Sequence, residues 1–144
     1  MKRGLMVPLL LLLALGAWSQ KAAPGVSGNQ ETKPFGGRMT PENAKALLAS
    51  EEDITLLDVR TAEEFAGGHI PGATLLPYDA ITATSAAKII PSKSAKVIVY
   101  CRSGRRSAIA AQTLQDLGYE SVADLGGIMS WPYEIVRQEG SDGR

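Results

Sequence analysis

The chain has 144 residues, 44% of them hydrophobic, enough for one ordinary domain and not for two. Its 15 basic and 15 acidic side chains cancel, so the overall charge calls for no nucleic-acid or polyanion partner. One cysteine and one histidine exclude an intrachain disulfide, a Cys-x-x-Cys redox pair and the usual structural zinc set; no metal or cofactor is called for.

Lys2 and Arg3 open the chain, Leu5 to Leu15 is almost wholly apolar, and Ala17-Trp18-Ser19 puts small residues at positions −3 and −1 of a cut before Gln20. This pattern reads as a signal peptide over residues 1–19, and hence as an exported protein, periplasmic in the first instance or secreted. The apolar run is short for a transmembrane helix. An uncleaved anchor is the alternative; after cleavage no stable membrane attachment is expected. Residues 20–37, rich in Gly, Pro, Lys, Ser and Thr, read as a flexible linker. A folded domain over 38–138 and a polar tail over 139–144 complete the organisation.

Thr40-Pro41-Glu42 starts a helix with an N-cap, a proline at the first helical position and an early acid. Ala44, Leu47 and Leu48 give it one apolar face. Ile54 to Val59 is a short, nearly continuous apolar run, the signature of a strand buried on both faces. Thr61 to Glu64 has capping-box spacing for a second helix, which Gly67-Gly68 stops. Ile70-Pro71-Gly72 is a tight turn before a strand over Ala73 to Leu76. Asp79 to Ile90 reads as helical, weakened by Thr82, Thr84 and Ser85 and ended by Pro91. Lys96 to Tyr100 is a third strand. Ala108, Ile109, Ala111, Leu114 and Leu117 mark a helix that Gly118 stops. Ser121 to Leu125 is a fourth strand, with a last helical stretch after Gly126-Gly127. Strands alternate with helices, so the chain is expected to be α/β, with a mainly parallel sheet covered on both faces. Ligands of such sheets bind at the carboxyl ends of the strands.

Cys101 lies at such an end, in Cys101-Arg102-Ser103-Gly104-Arg105-Arg106-Ser107. Cations at a helix N-terminus oppose the helix dipole, so Arg102, Arg105 and Arg106 are locally unfavourable unless a negative group joins them. A Cys101 thiolate and an anionic substrate are the obvious ones. An inert, buried cysteine is the plain alternative. A free cysteine is only about 3% thiolate at pH 7. A helix N-terminus and neighbouring arginines that lowered its pKa by about two units would make the thiolate the majority form.

Three segments resemble signatures of the rhodanese (thiosulfate sulfurtransferase) family. Leu57-Asp58-Val59-Arg60-Thr61-Ala62-Glu63-Glu64-Phe65, continued by Gly68-His69-Ile70-Pro71-Gly72-Ala73, is similar to the first. Tyr100 to Ser107 resembles the active-site loop, and Leu125-Gly126-Gly127-Ile128 with Trp131 resembles the closing segment. The match runs from about Arg38 to about Val136, and the chain is similar to small single-domain exported rhodaneses. Trp131-Pro132-Tyr133-Glu134 departs from the commoner ending. The resemblance implies a three-layer α/β/α domain with four or five mainly parallel strands. It also implies Cys101 as the residue that carries a persulfide, ringed by the backbone amides from Arg102 to Ser107.

The expected chemistry is a double displacement in which the Cys101 thiolate takes sulfane sulfur from thiosulfate and passes it to cyanide or a thiol, including a protein thiol. Arg102 and Arg105 are candidates for binding the anionic donor. Arg106 either joins them or turns back to a structural acid. Ser103 either donates to sulfur or caps the turn, and Ser107 is read as a cap. Gly104 lets the loop wrap. His69, the only histidine, is read as structural, and Trp131 as core packing. Asp58 leaves the sheet at the active edge and could reach the site, and Arg60 is expected to pair with Glu63 or Glu64. The alternatives are a non-catalytic persulfide carrier or partner-binding module, and a phosphatase or arsenate reductase. Cysteine phosphatases use Cys-x5-Arg, whereas position 107 is serine here and the arginine falls at 106.

Overall fold

A computed structural model describes residues 35–50 and 53–138. The expected signal peptide, most of the linker and the polar tail lie outside the described residues. Among the described residues, no helix is long and apolar enough to cross a membrane.

The elements in chain order are β1 (Gly37–Arg38), α1 (Pro41–Ala49), β2 (Ile54–Asp58), α2 (Ala62–Ala66), β3 (Thr74–Leu75), a 3-10 turn (Tyr78–Ala80), α3 (Ala83–Ile89), β4 (Lys96–Cys101), α4 (Arg105–Asp116), β5 (Ser121–Gly127) and a second 3-10 turn (Ile128–Ser130). The five strands form one parallel sheet in the order β1-β5-β4-β2-β3.

The central strand β4 explains the layering. Val97, Ile98, Val99 and Tyr100 are all fully buried, because neither face of the strand meets water. Val97, Val99 and Cys101 pack with Ala86, Ala110 and Leu114 from α3 and α4. Ile98 and Tyr100 point the other way, toward Ala44, Leu56, Ile70 and Trp131. Burying each such large side chain contributes roughly 1.5–3 kcal/mol, so these two clusters hold the three layers together.

Local signals set the helix starts. Thr40 accepts from the amide of Asn43 at 3.3 Å, with Pro41 at the first helical position. Thr61 and Glu64 form a reciprocal capping box, at 3.2 and 3.0 Å.

Two helical expectations fail. The segment from Asp79 to Ile90 is not one helix: a 3-10 turn ends at Ala80, and α3 begins at Ala83. The residues that weakened it mark the new start, since Thr82 caps α3 and forms a capping box with Ser85. The last helix is only the turn Ile128–Ser130. Pro132 has no N–H to continue it, and the chain instead returns as an antiparallel bridge, Val136 to His69, at 2.8 and 2.9 Å. The first strand was not foreseen, and its Gly37 falls in the stretch read as linker.

Arg60 does not pair with Glu63 or Glu64. It is buried, and its Nε and Nη2 donate to Asp58 at 2.9 and 2.6 Å, while Nη2 also donates to the Gly68 carbonyl at 2.7 Å. The Tyr100 hydroxyl accepts from the Ile70 amide at 3.1 Å. Burial, then its hydrogen bond to the Asp58 carboxylate, push that phenol well above its ordinary pKa. A fully buried carboxylate needs several such donors, and the two-residue spacing delivers Arg60 where Glu64 is already committed to Arg106.

Candidate active site

Strand β4 delivers Cys101 to the carboxyl edge of the sheet, opposite Gly127 of β5. The two strands change register there: Val99 faces Asp124, but Tyr100 faces Gly126, leaving Leu125 as a bulge. Gly126 takes φ +87°, a conformation that favours glycine. Arg102, Ser103 and Gly104 then turn the chain into α4, with Gly104 at φ +108° as its N-cap.

This turn aims amides at sulfur. The Gly104 N–H lies 3.0 Å from Cys101 Sγ. Cys101 is only 1% exposed, so burial pushes its thiol up. The Ser107 hydroxyl and the backbone N–H groups of Ser107, Gly104 and Ser103 outweigh this, and the thiol ends below its ordinary value. The sequence assigned that effect to the helix N-terminus and the arginines together; the amides at the helix start, with the Ser107 hydroxyl, produce it. Ser107, read as a cap, does turn its hydroxyl back to the N-cap carbonyl, and it also addresses the sulfur. It is fully buried, and its hydroxyl lies 3.1 Å from the Gly104 carbonyl and 3.3 Å from that of Gly126. One proton therefore has two carbonyls and the sulfur as acceptors.

The three loop arginines divide. Arg106 turns back: Nη1 and Nη2 donate to the two carboxylate oxygens of Glu64 at 2.7 and 2.8 Å, tying α4 to α2. Arg102 and Arg105 are exposed, and neither guanidinium has a hydrogen-bond or ion-pair partner among the described residues. The Ser103 side chain is likewise exposed, and only its amide addresses the sulfur. Asp58 does not reach the site. It is fully buried on the opposite face of the sheet from Cys101, within the Arg60 network. His69 is structural: its Nδ1 bonds to the Phe65 carbonyl at 2.8 Å and its ring stacks on Phe65. Trp131 packs in the core, edge-on to Tyr133.

The Arg106 guanidinium, first of all, holds the Glu64 carboxyl at about 2, against an ordinary 4.5. The folded value lies below the unfolded one, so the pair stabilises above about pH 4.5 and its contribution fades as pH falls toward 2. Both side chains are partly exposed, at 19% and 28%, which limits the contribution to about 1 kcal/mol. Urea unfolding of the parent and Glu64→Gln is expected to differ by that amount at pH 7 and to converge as the pH approaches 2. A difference that persists unchanged at the acid end would refute the assignment.

Beside the loop runs a groove of about 470 Å³, lined by Arg102, Glu64, Met129, Trp131, Tyr133 and Ile135 among others. Met129 is 72% exposed there and its amide donates to the Arg102 carbonyl at 3.3 Å. The sequence offered Glu64 to Arg60 and not to Arg106, and left the pair Arg38 and Asp124, 86 positions apart, unassigned. The capping-box spacing marked Glu64 without showing its second role.

A parallel α/β domain that ends its central strand on a buried cysteine, inside a turn of inward amides, is built to stabilise a thiolate. The chain matches the rhodanese-like domain family over residues 40–133 and belongs to it. It is 43% identical over 103 residues to a sulfurtransferase of Allochromatium vinosum, covering 69% of this chain and 94% of that one. It is 35% identical over 72 residues to the thiosulfate sulfurtransferase PspE of Escherichia coli, covering 50% and 68%. Among solved structures, a rhodanese-like domain protein from Staphylococcus aureus superposes with a TM-score of 0.62 at 30% identity, covering 72% of this chain and 99% of that one. The chain is thus a member of a sulfurtransferase family, with the expected three-layer fold and five parallel strands.

Proposed function

We propose that this protein moves sulfane sulfur from thiosulfate, or a related anionic donor, to cyanide or a thiol through a persulfide on Cys101. The observation that carries this reading is the buried sulfur with the Gly104 amide 3.0 Å away and its pKa drawn down by N–H and O–H donors. In the first step the Cys101 thiolate attacks the outer sulfur of thiosulfate. The S–S bond of the donor breaks, and sulfite leaves with the electron pair. The terminal persulfide sulfur then carries the negative charge, and the amides of Ser103, Gly104 and Ser107 with the Ser107 hydroxyl stabilise it. In the second step the acceptor attacks that sulfur, and Cys101 departs as thiolate.

Arg102 and Arg105 bind the anionic donor in this reading, since both are exposed and neither is committed to another side chain among the described residues. Arg106 contributes charge at a distance while held by Glu64. That commitment also weakens the phosphatase alternative, whose loop arginine must be free to grip an oxyanion. The groove beside Arg102 supports a thiol acceptor larger than cyanide, as the carrier reading also requires. The signal-peptide pattern of residues 1–19 supports an exported, periplasmic setting for this chemistry.

Intact-protein mass after thiosulfate, with no acceptor, tests the cycle. The parent is expected to gain one sulfur atom that cyanide removes, and Cys101→Ser to gain none. Arg105→Ala should need roughly tenfold more thiosulfate for half-loading, the loss of one charge-assisted hydrogen bond. A reduced, folded parent that gains no sulfur would reject thiosulfate as donor and bring forward transfer from a protein persulfide.

A further inference from the structure

Arg38 stands at the edge of the sheet, in a strand only two residues long. Its Nη1 donates to Asp124 Oδ2 at 2.9 Å, and Asp124 Oδ1 accepts the Gly126 amide at the same distance. The side chain is 70% exposed and that of Asp124 only 11%, so the guanidinium is anchored at one end by a nearly buried carboxylate. A cation beside the N-cap of α4 is locally unfavourable.

The remainder of the guanidinium lies over two glycines. A Cβ on Gly104 would sit 3.7 and 3.8 Å from Nη2 and Nη1, and one on Gly126 would sit 3.5 Å from Nη2 and 3.7 Å from Cζ. Gly104 addresses the sulfur directly, and Gly126 does so only through Ser107. Gly104 supplies the N–H at 3.0 Å from Sγ, and the carbonyls of Gly104 and Gly126 both lie within reach of the Ser107 hydroxyl. Both take positive φ, which favours glycine, and a glycine has no side chain to anchor it.

We propose that Arg38 is a positioning residue for Cys101. Asp124 orients its guanidinium plane, which backs Gly104 and Gly126 and fixes the Gly104 amide on the sulfur. The inference rests on the sulfur-transfer reading for its functional consequence, but its geometry concerns the thiol itself. The other charged groups around that thiol are Arg102 and Arg105 on the loop and Arg106 with Glu64, and all of them stay in the variants below.

The test follows the pH dependence of Cys101 alkylation by iodoacetamide in the full chain, beside melting temperature and sulfur loading. In Arg38→Ala the alkylation midpoint is expected to rise by about half a unit or more, which lowers thiolate, and loading with it, about threefold at pH values below the midpoint. Asp124 is nearly buried, so Arg38→Ala is expected to lose several degrees of melting temperature, and the midpoint is read only at temperatures where both proteins stay folded. Arg38→Lys keeps the charge and loses the plane, so its midpoint should rise as well. A parent midpoint in Arg38→Ala overturns the proposal. A raised midpoint in Arg38→Ala with a parent midpoint in Arg38→Lys also overturns it, by assigning the effect to charge. Should Arg38→Ala fail to fold, Asp124→Asn takes its place: it releases the guanidinium, and a parent midpoint there is equally fatal. Alkylation needs no sulfur donor, so failure of thiosulfate loading in the parent would count against the reaction and leave the Arg38 result standing.

Discussion

Gly127→Ala is expected to destabilise the domain by about 3 kcal/mol and to impair the proposed sulfur loading beyond what the lost stability explains. A Cβ at this position would lie 2.4 Å from the Arg102 carbonyl oxygen and 2.7 Å from Ser103 Cα. Both are backbone atoms of the loop that holds the sulfur, so no side chain can swing aside. The backbone of Gly127 itself is ordinary, at φ −104° and ψ 138°. The requirement is therefore space and not conformation. Relief means pushing the loop away from β5, and Cys101 is paired with Gly127 at that point. Gly118→Ala is the matched comparison. Its φ is +92° but nothing lies within 4 Å of a Cβ there, so only the dihedral cost of roughly 1–2 kcal/mol applies. Urea denaturation and persulfide mass measured on both variants decide the matter. If Gly127→Ala costs no more than Gly118→Ala and loads sulfur normally, the loop does not depend on this contact.

Arg60→Ala is expected to cost about 3–5 kcal/mol, a large fraction of the stability of a domain this size. Asp58 is fully buried and Arg60 is 6% exposed, so removing the guanidinium strands a carboxylate away from water. It also frees the Gly68 carbonyl, which Arg60 holds at 2.7 Å, and so loosens the segment that carries His69 and its bridge to Val136. Asp58→Asn combined with Arg60→Met should recover much of the loss, since the penalty lies in the uncompensated charge more than in the missing bond. A double-mutant cycle by urea unfolding reads the coupling directly. A coupling near zero would mean that the Tyr100 hydroxyl and backbone amides satisfy Asp58 unaided.

Much of this protein was legible from local residue chemistry. A continuous apolar run marked β2 as a strand covered on both faces, because a parallel sheet hides both, and β4 and β5 were legible as strands. Caps such as Thr40 and Thr61 marked helix starts, since orphan amides need an oxygen close in sequence. Cys101 stood out by the same logic: three cations at a helix start are costly without an anion. The two-residue strand β1 was not legible, because so short a segment carries no period and exists only through its pairing with β5. Nor was the end of the chain, where Pro132 and the His69–Val136 bridge replaced a helix.

What the amino-acid order determined by itself is the fold class, the family and the candidate atom, the sulfur of Cys101, carried by strand–helix alternation and three short motifs. Tertiary structure alone decided how that atom is held. The charges of Asp58, Glu64 and Asp124 each had several arginines to choose from, and distance in space made the choice. Arg60 went to Asp58 across two residues, Arg106 to Glu64 across 42, and Arg38 to Asp124 across 86. The physical reason is that ion pairs and close backbone contacts depend on separations of a few ångströms, and the chain sets those separations only after it has folded.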